Sequence, residues 1–191
     1  MIETERHPFE PFLPAGAVIL FLGSFPPQPK RWCMEFYYPN WINDMWRIFG
    51  LCFFDDKMYF VDEEHKTFRQ KKIELLLKEH GIGIYDTATA VVRTQGTAAD
   101  KDLEVVEPTD LEALLERIPH CVAIVTTGEK ATSVFCEHFA VKAPKVGSFT
   151  EFSFGSRVLR LYRMPSSSRA YPMKVERKAA YYQPMFDEIV K

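Results

Sequence analysis

The stretch RMPSSSRAYP, residues 163–172, sets three serines between a proline and an arginine. Serine hydroxyls and free backbone N–H groups beside a guanidinium suit a phosphate. The same string also suits a plain surface turn, the commoner fate of Ser-rich connections. A second stretch, GSFPPQPKRWCMEFYYPNWINDMWRIFGL at residues 23–51, combines four prolines with many aromatics and two asparagines. Prolines pre-set a loop and lower its ordering cost. Aromatics beside an Asn suit a pocket for a flat polar ring, which stacks on one side chain while an amide reads its edge.

Both stretches leave the ends of predicted strands. Near-continuous apolar runs at 17–23 (AVILFLG) and 121–127 (CVAIVTT) read as strands covered on both faces, and 83–89 and 158–164 read as two more. Helical patterns lie between and after them, at 43–51, 67–80, 109–118, 129–139 and 174–190, with Pro184 expected to break or bend the last. Residues 53–66 read as a loop excursion or a small hairpin. Strands alternating with helices predict an α/β protein, a three-layer sandwich on a mainly parallel sheet. Such sheets hold ligands at the carboxyl ends of their strands. The loops after Gly23 and after Met164 can therefore lie side by side.

The 191 residues are read as a single domain, 1–191, with residues 1–16 as an N-terminal extension. A 47% hydrophobic content fits a folded chain, and no apolar run is long enough to span a bilayer. The acidic, proline-broken start is unlike a secretory signal, so a cytoplasmic location is expected. Cys33, Cys52, Cys121 and Cys136 are scattered without a Cys-x-x-Cys pair, which argues against a zinc ribbon or an iron–sulfur cluster. Cys136 and His138 make at most half a metal site, and no metal is expected. Net charge is −2, but residues 155–191 hold eight Lys or Arg against three Asp or Glu. A basic C-terminal segment on an acidic body could face DNA, or 174–178 could be a solvated helix face.

Three segments resemble the uracil-DNA glycosylase superfamily, closest to its mismatch-specific uracil/thymine and hypoxanthine-DNA glycosylase-like branches. They are LFLGSFPP followed by YYPNWINDMW, then GIGIYDTATAVVRTQGTAAD at 81–100, then MPSSSRAYP. The resemblance implies a three-layer α/β/α sandwich whose central, mainly parallel sheet has four strands. It implies a monomer that needs no cofactor. It implies hydrolysis of the N-glycosidic bond to a damaged or mismatched base, uracil or hypoxanthine foremost, flipped out of DNA for base-excision repair.

Site residues follow from the matched positions. Asn43 would donate to a base carbonyl and stabilise the leaving anion, although an Asn at a helix start is also a good N-cap. Asn40 is its neighbouring alternative. Tyr38 would pack on the flipped base, and Gly23 would let the backbone come close. Backbone groups around Ser24 and Phe25 would read the base edge or support the attacking water. Phe25 departs from the mismatch-specific pattern, which carries a water-positioning Asn there. Asp86 and Asp100 are polar candidates without a role, and the water's partner stays unassigned. Ser166, Ser167 and Ser168 would hold phosphates flanking the nucleotide. Arg169 would fill the vacated stack or contact a phosphate, with Tyr171 the other candidate wedge. Met164, which stands where many glycosylases have His, cannot donate to the base.

Two other readings compete. A non-catalytic relative that binds DNA through the same pocket is favoured by Phe25. An unrelated phosphate-binding α/β enzyme has only TTGEKAT at 126–132, which lacks the spacing of a phosphate loop.

Overall fold

The computed structural model describes residues 3–95 and 99–191. In chain order the strands are β1 (Thr4–Arg6), β2 (Ile19–Gly23), β3 (Val61–Asp62), β4 (Thr67–Phe68), β5 (Ile82–Asp86), β6 (Ala88–Arg93), β7 (Leu103–Pro108), β8 (Ala123–Thr127), β9 (Phe149–Phe154) and β10 (Arg157–Met164). The helices are α1 (Met45–Phe54), α2 (Gln70–Glu79), α3 (Leu111–Glu116), α4 (Glu129–Phe139) and α5 (Val175–Ile189).

The main sheet runs β5-β2-β8-β10-β9. Four strands are parallel, and β9 pairs antiparallel with β10 at one edge. The sheet therefore has five strands, not the expected four. The fifth escapes a search for apolar runs because FTEFSF buries only one of its six residues. β2, β5 and β8, by contrast, are buried at every position. They lie inside a sheet packed on both faces, which is why they read as unbroken apolar runs.

Registers define the two faces. Phe21 stands opposite Val125, and Leu22 opposite Thr126. The Phe21 ring packs on Phe49 of α1 and on Tyr182 and Phe186 of α5, at 5.5, 6.4 and 5.9 Å. On the other face, Thr126 Oγ1 lies 2.8 Å from Thr132 Oγ1 of α4. The sheet is thus covered by α1 and α5 on one side and α4 on the other. A connection from β5 to β8 that skips β2 reverses the winding and creates this arrangement.

Pro184 is expected from the sequence to break or bend the last helix; α5 is not broken there but runs on through it. Pro184 is exposed, whereas Tyr182, Met185 and Phe186 on either side of it are buried. Packing on both flanks holds the helix in spite of the lost N–H. The stretch 53–66 leads into a two-stranded hairpin of β3 and β4. Residues 83–89 do not form one strand: β5 ends at Asp86, and β6 starts at Ala88. β6 joins a second, antiparallel sheet with order β1-β6-β7. β1 pairs with β6 and Phe12 bridges to Ile84, so both are tied to the fold.

Candidate functional site

Four parallel strands end level with one another. Gly23 faces Asp86 across β2 and β5, and Met164 faces Thr127 across β10 and β8. Beyond these ends lies a cavity of about 400 Å³. Its walls come from the loop after β2 (Gly23–Pro27), the aromatic loop and helix start (Tyr37, Tyr38, Asn40, Asn43), the acids Asp86 and Asp100, Thr127, and the serine loop from Ser166 to Pro172. The two sequence stretches singled out above meet here.

Gly23 is required by close packing. A Cβ there would sit 2.5 Å from Asp86 Oδ1 and 3.3 Å from the Tyr38 hydroxyl. The next residue, Ser24, donates from Oγ to Asp100 Oδ1 at 2.6 Å. Phe25 lines the cavity with its ring edge-on to His7 at 5.3 Å, and it supplies no polar atom from its side chain.

Tyr38 holds a left-handed backbone, φ 51°, which is costly for a residue with a bulky side chain. Its neighbours enforce that geometry. Buried Trp46 donates from Nε1 to the Tyr37 carbonyl at 3.0 Å and packs its ring face-to-edge with Tyr38. The Tyr38 hydroxyl lies 3.1 Å from Thr127 Oγ1. Burial, and then the charge of Asp86, hold its phenol well above the ordinary range, so it stays protonated.

Asn43 stands one residue before Asp44, the N-cap of α1, and so is not the cap itself, though its side chain takes up one of the first backbone N–H groups. α1 starts at Met45, and Asn43 Oδ1 accepts from the Met45 N–H at 2.9 Å. Its Nδ2 donates to no described residue and stays available at the cavity wall. Asn40 uses Oδ1 to accept from the Ile42 N–H at 3.2 Å and also lines the cavity.

The serine loop folds into turns and lines the cavity. Ser166 Oγ accepts from the Ser168 N–H and Ser168 Oγ from the Ala170 N–H, each at 3.2 Å, so the serines build two successive turns. Accepting leaves each hydroxyl proton free to be donated. Ser167 is buried, and its carbonyl accepts from the Asp44 N–H at 2.9 Å. Arg169 does not line the cavity; its Nε donates to Asp44 Oδ1 at 3.1 Å. Tyr171 does line it. Met164 is buried beneath the loop and forms no part of the wall.

Four further residues build the site without having been singled out for it. His7 Nε2 donates to Asp86 Oδ2 at 2.8 Å, with both side chains buried. The ring is enclosed by Phe25, Tyr37 and Tyr85. Nothing in the sequence pairs residues so far apart, and His7 falls in the segment read as an extension. Thr127 supplies the hydroxyl partner of Tyr38. Asp44 and Lys178 lock the two stretches together: Lys178, fully buried, donates from Nζ to Asp44 Oδ2 at 3.0 Å and to the Ser168 carbonyl at 2.8 Å. The reading of 174–178 as a solvated or DNA-facing run fails at Lys178. A signal was present, because Lys178, Tyr182 and Met185 follow helical spacing along one buried face.

Asp100 is mostly buried, and its carboxyl is raised above the usual range. Burial is the main cause, and the charge of Asp86 adds to it, while the Ser24 hydrogen bond opposes it. Part of the matched segment 81–100 (residues 96–98) lies outside the described residues. No group of three or more His, Cys, Asp or Glu side chains suited to a metal occurs among the described residues. No helix among them is long and apolar enough to cross a membrane.

No protein-family model matches the chain, and no curated protein matches it. Solved structures do. One is the solution NMR structure of a "putative Uracil DNA glycosylase" from Methanosarcina acetivorans. It superposes with a TM-score of 0.60 at 22% identity, covering 96% of this chain and 99% of that one. The chain shares that protein's fold over nearly its whole length.

Proposed function

We propose that this protein is a DNA glycosylase that hydrolyses the N-glycosidic bond of a flipped-out damaged or mismatched base. One observation carries the reading. A single cavity joins an aromatic wall bearing an unspent amide to a loop of serines whose hydroxyl protons are unspent. The first suits a flat base and the second a phosphate beside it. The fold shared with the archaeal protein supports the same class.

In this reading the base lies against Tyr38 and Phe25. Asn43 Nδ2 donates to a base carbonyl and stabilises the anion that forms as the bond breaks. Asp86 Oδ1, on a carboxylate aimed by His7, is an acceptor for a ring N–H or an exocyclic amine. Uracil and hypoxanthine each present a ring N–H beside a carbonyl, and they are the foremost substrates. Ser166 and Ser168 donate to flanking phosphates, and Arg169 or Tyr171 fills the vacated stack. Asp44 holds Arg169 at its base, so Tyr171, which lines the cavity, is the better placed of the two.

The test is single-turnover cleavage of oligonucleotides carrying one uracil, hypoxanthine or mismatched thymine. Asn43→Asp separates the two jobs of that residue, since it keeps an oxygen for the Met45 N–H and lacks the donor. A preorganised donor of this kind is worth about 2.7–4 kcal/mol, so cleavage should fall about 10²–10³-fold with the fold intact. Loss of less than threefold removes Asn43 from the chemistry. A second reading, a non-catalytic binder of damaged DNA, is favoured by the apolar Phe25 in the loop after β2. It predicts retained DNA binding with no abasic product from any substrate.

A further inference from the structure

A glycosylase that hydrolyses its substrate must aim a water at C1′, and the Phe25 side chain has no polar atom to do so. Two carboxylates reach the cavity instead. Asp86 is committed: Oδ2 accepts from His7 Nε2, and Oδ1 is pressed over Gly23 at the ends of β2 and β5. Asp100 is differently placed. Its Oδ1 accepts from Ser24 Oγ, whereas its Oδ2 accepts no hydrogen bond from any described residue. That oxygen also adjoins the serine loop. A Cβ on Gly128 would lie 3.8 Å from Ser166 Oγ and 3.9 Å from Asp100 Oδ2, so both atoms border the same patch of wall. A nucleotide with its phosphate on the serines and its base against Tyr38 has its sugar between these regions.

We propose that Asp100 is the catalytic base that takes a proton from the attacking water, and that Ser24 is the positioning residue that aims it. The inference rests on the glycosylase reading. In the step, the C1′–N bond breaks and its electron pair leaves with the base. A lone pair of the water oxygen forms the new C1′–O bond. One water proton passes to Asp100 Oδ2, giving the base anion and an abasic sugar bearing a C1′ hydroxyl; the anion then takes a proton from solvent to become the free base, and Asp100 returns its proton to solvent. The surroundings fit a base of useful strength. Burial and Asp86 on β5 raise the proton affinity of Asp100, while Ser24, Lys130 on α4 and Arg93 on β6 lower it, leaving it above the ordinary carboxylate range.

The experiment compares wild type, Asp100→Asn, Asp100→Ala and Ser24→Ala in single-turnover cleavage. Binding to an uncleavable 2′-fluoro analogue is measured in parallel. A positioned base contributes about 10²–10⁴-fold. Asp100→Asn should lose that much cleavage and bind the analogue within threefold of wild type. The wild-type rate should rise with pH through a limb above the usual Asp range, and the Asn variant should lose that limb. Ser24→Ala should move the limb upward, because the hydrogen bond that lowers the pKa is gone. Added formate should restore at least tenfold of the Asp100→Ala rate. Cleavage by Asp100→Asn within threefold of wild type would overturn the assignment and leave the glycosylase reading standing. So would a loss that tracks weakened binding and is not rescued by formate. No cleavage of any substrate by the wild type would overturn both.

Discussion

Consider replacing Lys178 by Met. The ammonium is fully buried, and Asp44, its partner, is 4% exposed. Nζ donates to two acceptors, Asp44 Oδ2 at 3.0 Å and the Ser168 carbonyl at 2.8 Å. Methionine fills a similar volume but returns neither bond. Asp44 would keep only Arg169, whose side chain is half exposed and thus partly screened. Removing one partner of a buried pair costs about 3–5 kcal/mol, because the other charge stays buried. For a chain of this size each kcal/mol shifts the melting temperature by about 2–4 °C, so Lys178→Met should lower Tm by roughly 6–20 °C. Thermal and urea unfolding would measure it, with Asp44→Asn and the double variant completing a cycle. Once Lys178 is gone, Asp44→Asn removes a buried charge left with only the partly screened Arg169, so the double variant should be more stable than Lys178→Met alone. A loss below about 1 kcal/mol in the single variant, or strict additivity in the cycle, would refute the argument that this pair clamps the serine loop to the start of α1.

Other consequences are open to test. Gly23→Ala places a methyl against Asp86 Oδ1, so cleavage should fall at least tenfold with a measurable loss of Tm, and an unchanged rate would show that the carboxylate can move aside. Asp100→Asn should raise Tm near neutral pH while lowering cleavage by about 10²–10⁴-fold. A carboxyl whose folded pKa is raised is best tolerated when protonated, so its penalty on the native state appears as pH rises and the stability gain of the Asn variant should shrink in acid. Replacing Ser166 and Ser168 together by Ala should weaken binding to DNA by about 1–3 kcal/mol whatever base is present, as expected for lost phosphate donors. His7→Phe frees Asp86 Oδ2 and should relax discrimination among the three test bases more than it lowers affinity for the DNA.

The parallel centre of the fold was legible because strands covered on both faces must be apolar throughout, as in AVILFLG and CVAIVTT. With those strands fixed, Gly23 and Met164 became neighbouring strand ends, and the meeting of their loops followed. β9 was not legible, since a partly exposed edge strand needs few buried side chains. The second sheet was hidden for a different reason. Its β1 and β6 are joined across most of a hundred residues, a pairing that no local pattern encodes. The same limit applies to the chemistry. Tyr38, Asn43 and the serines announce themselves by type and spacing. Asp86 and Asp100 acquire distinct surroundings only from their partners, His7 and Ser24, and those contacts span 79 and 76 positions.

The clamp between Asp44 and Lys178 also sets when the site can exist. Its first wall is complete by residue 44, yet the ammonium that holds the second wall comes from α5, and Tyr182 of the same helix donates to the Pro165 carbonyl at 2.8 Å. A chain emerging from the ribosome would expose the aromatic loop long before the serine loop is anchored. Contacts of such span form late in folding. An unfinished chain therefore carries no assembled cavity, and whatever the cavity binds must wait for α5.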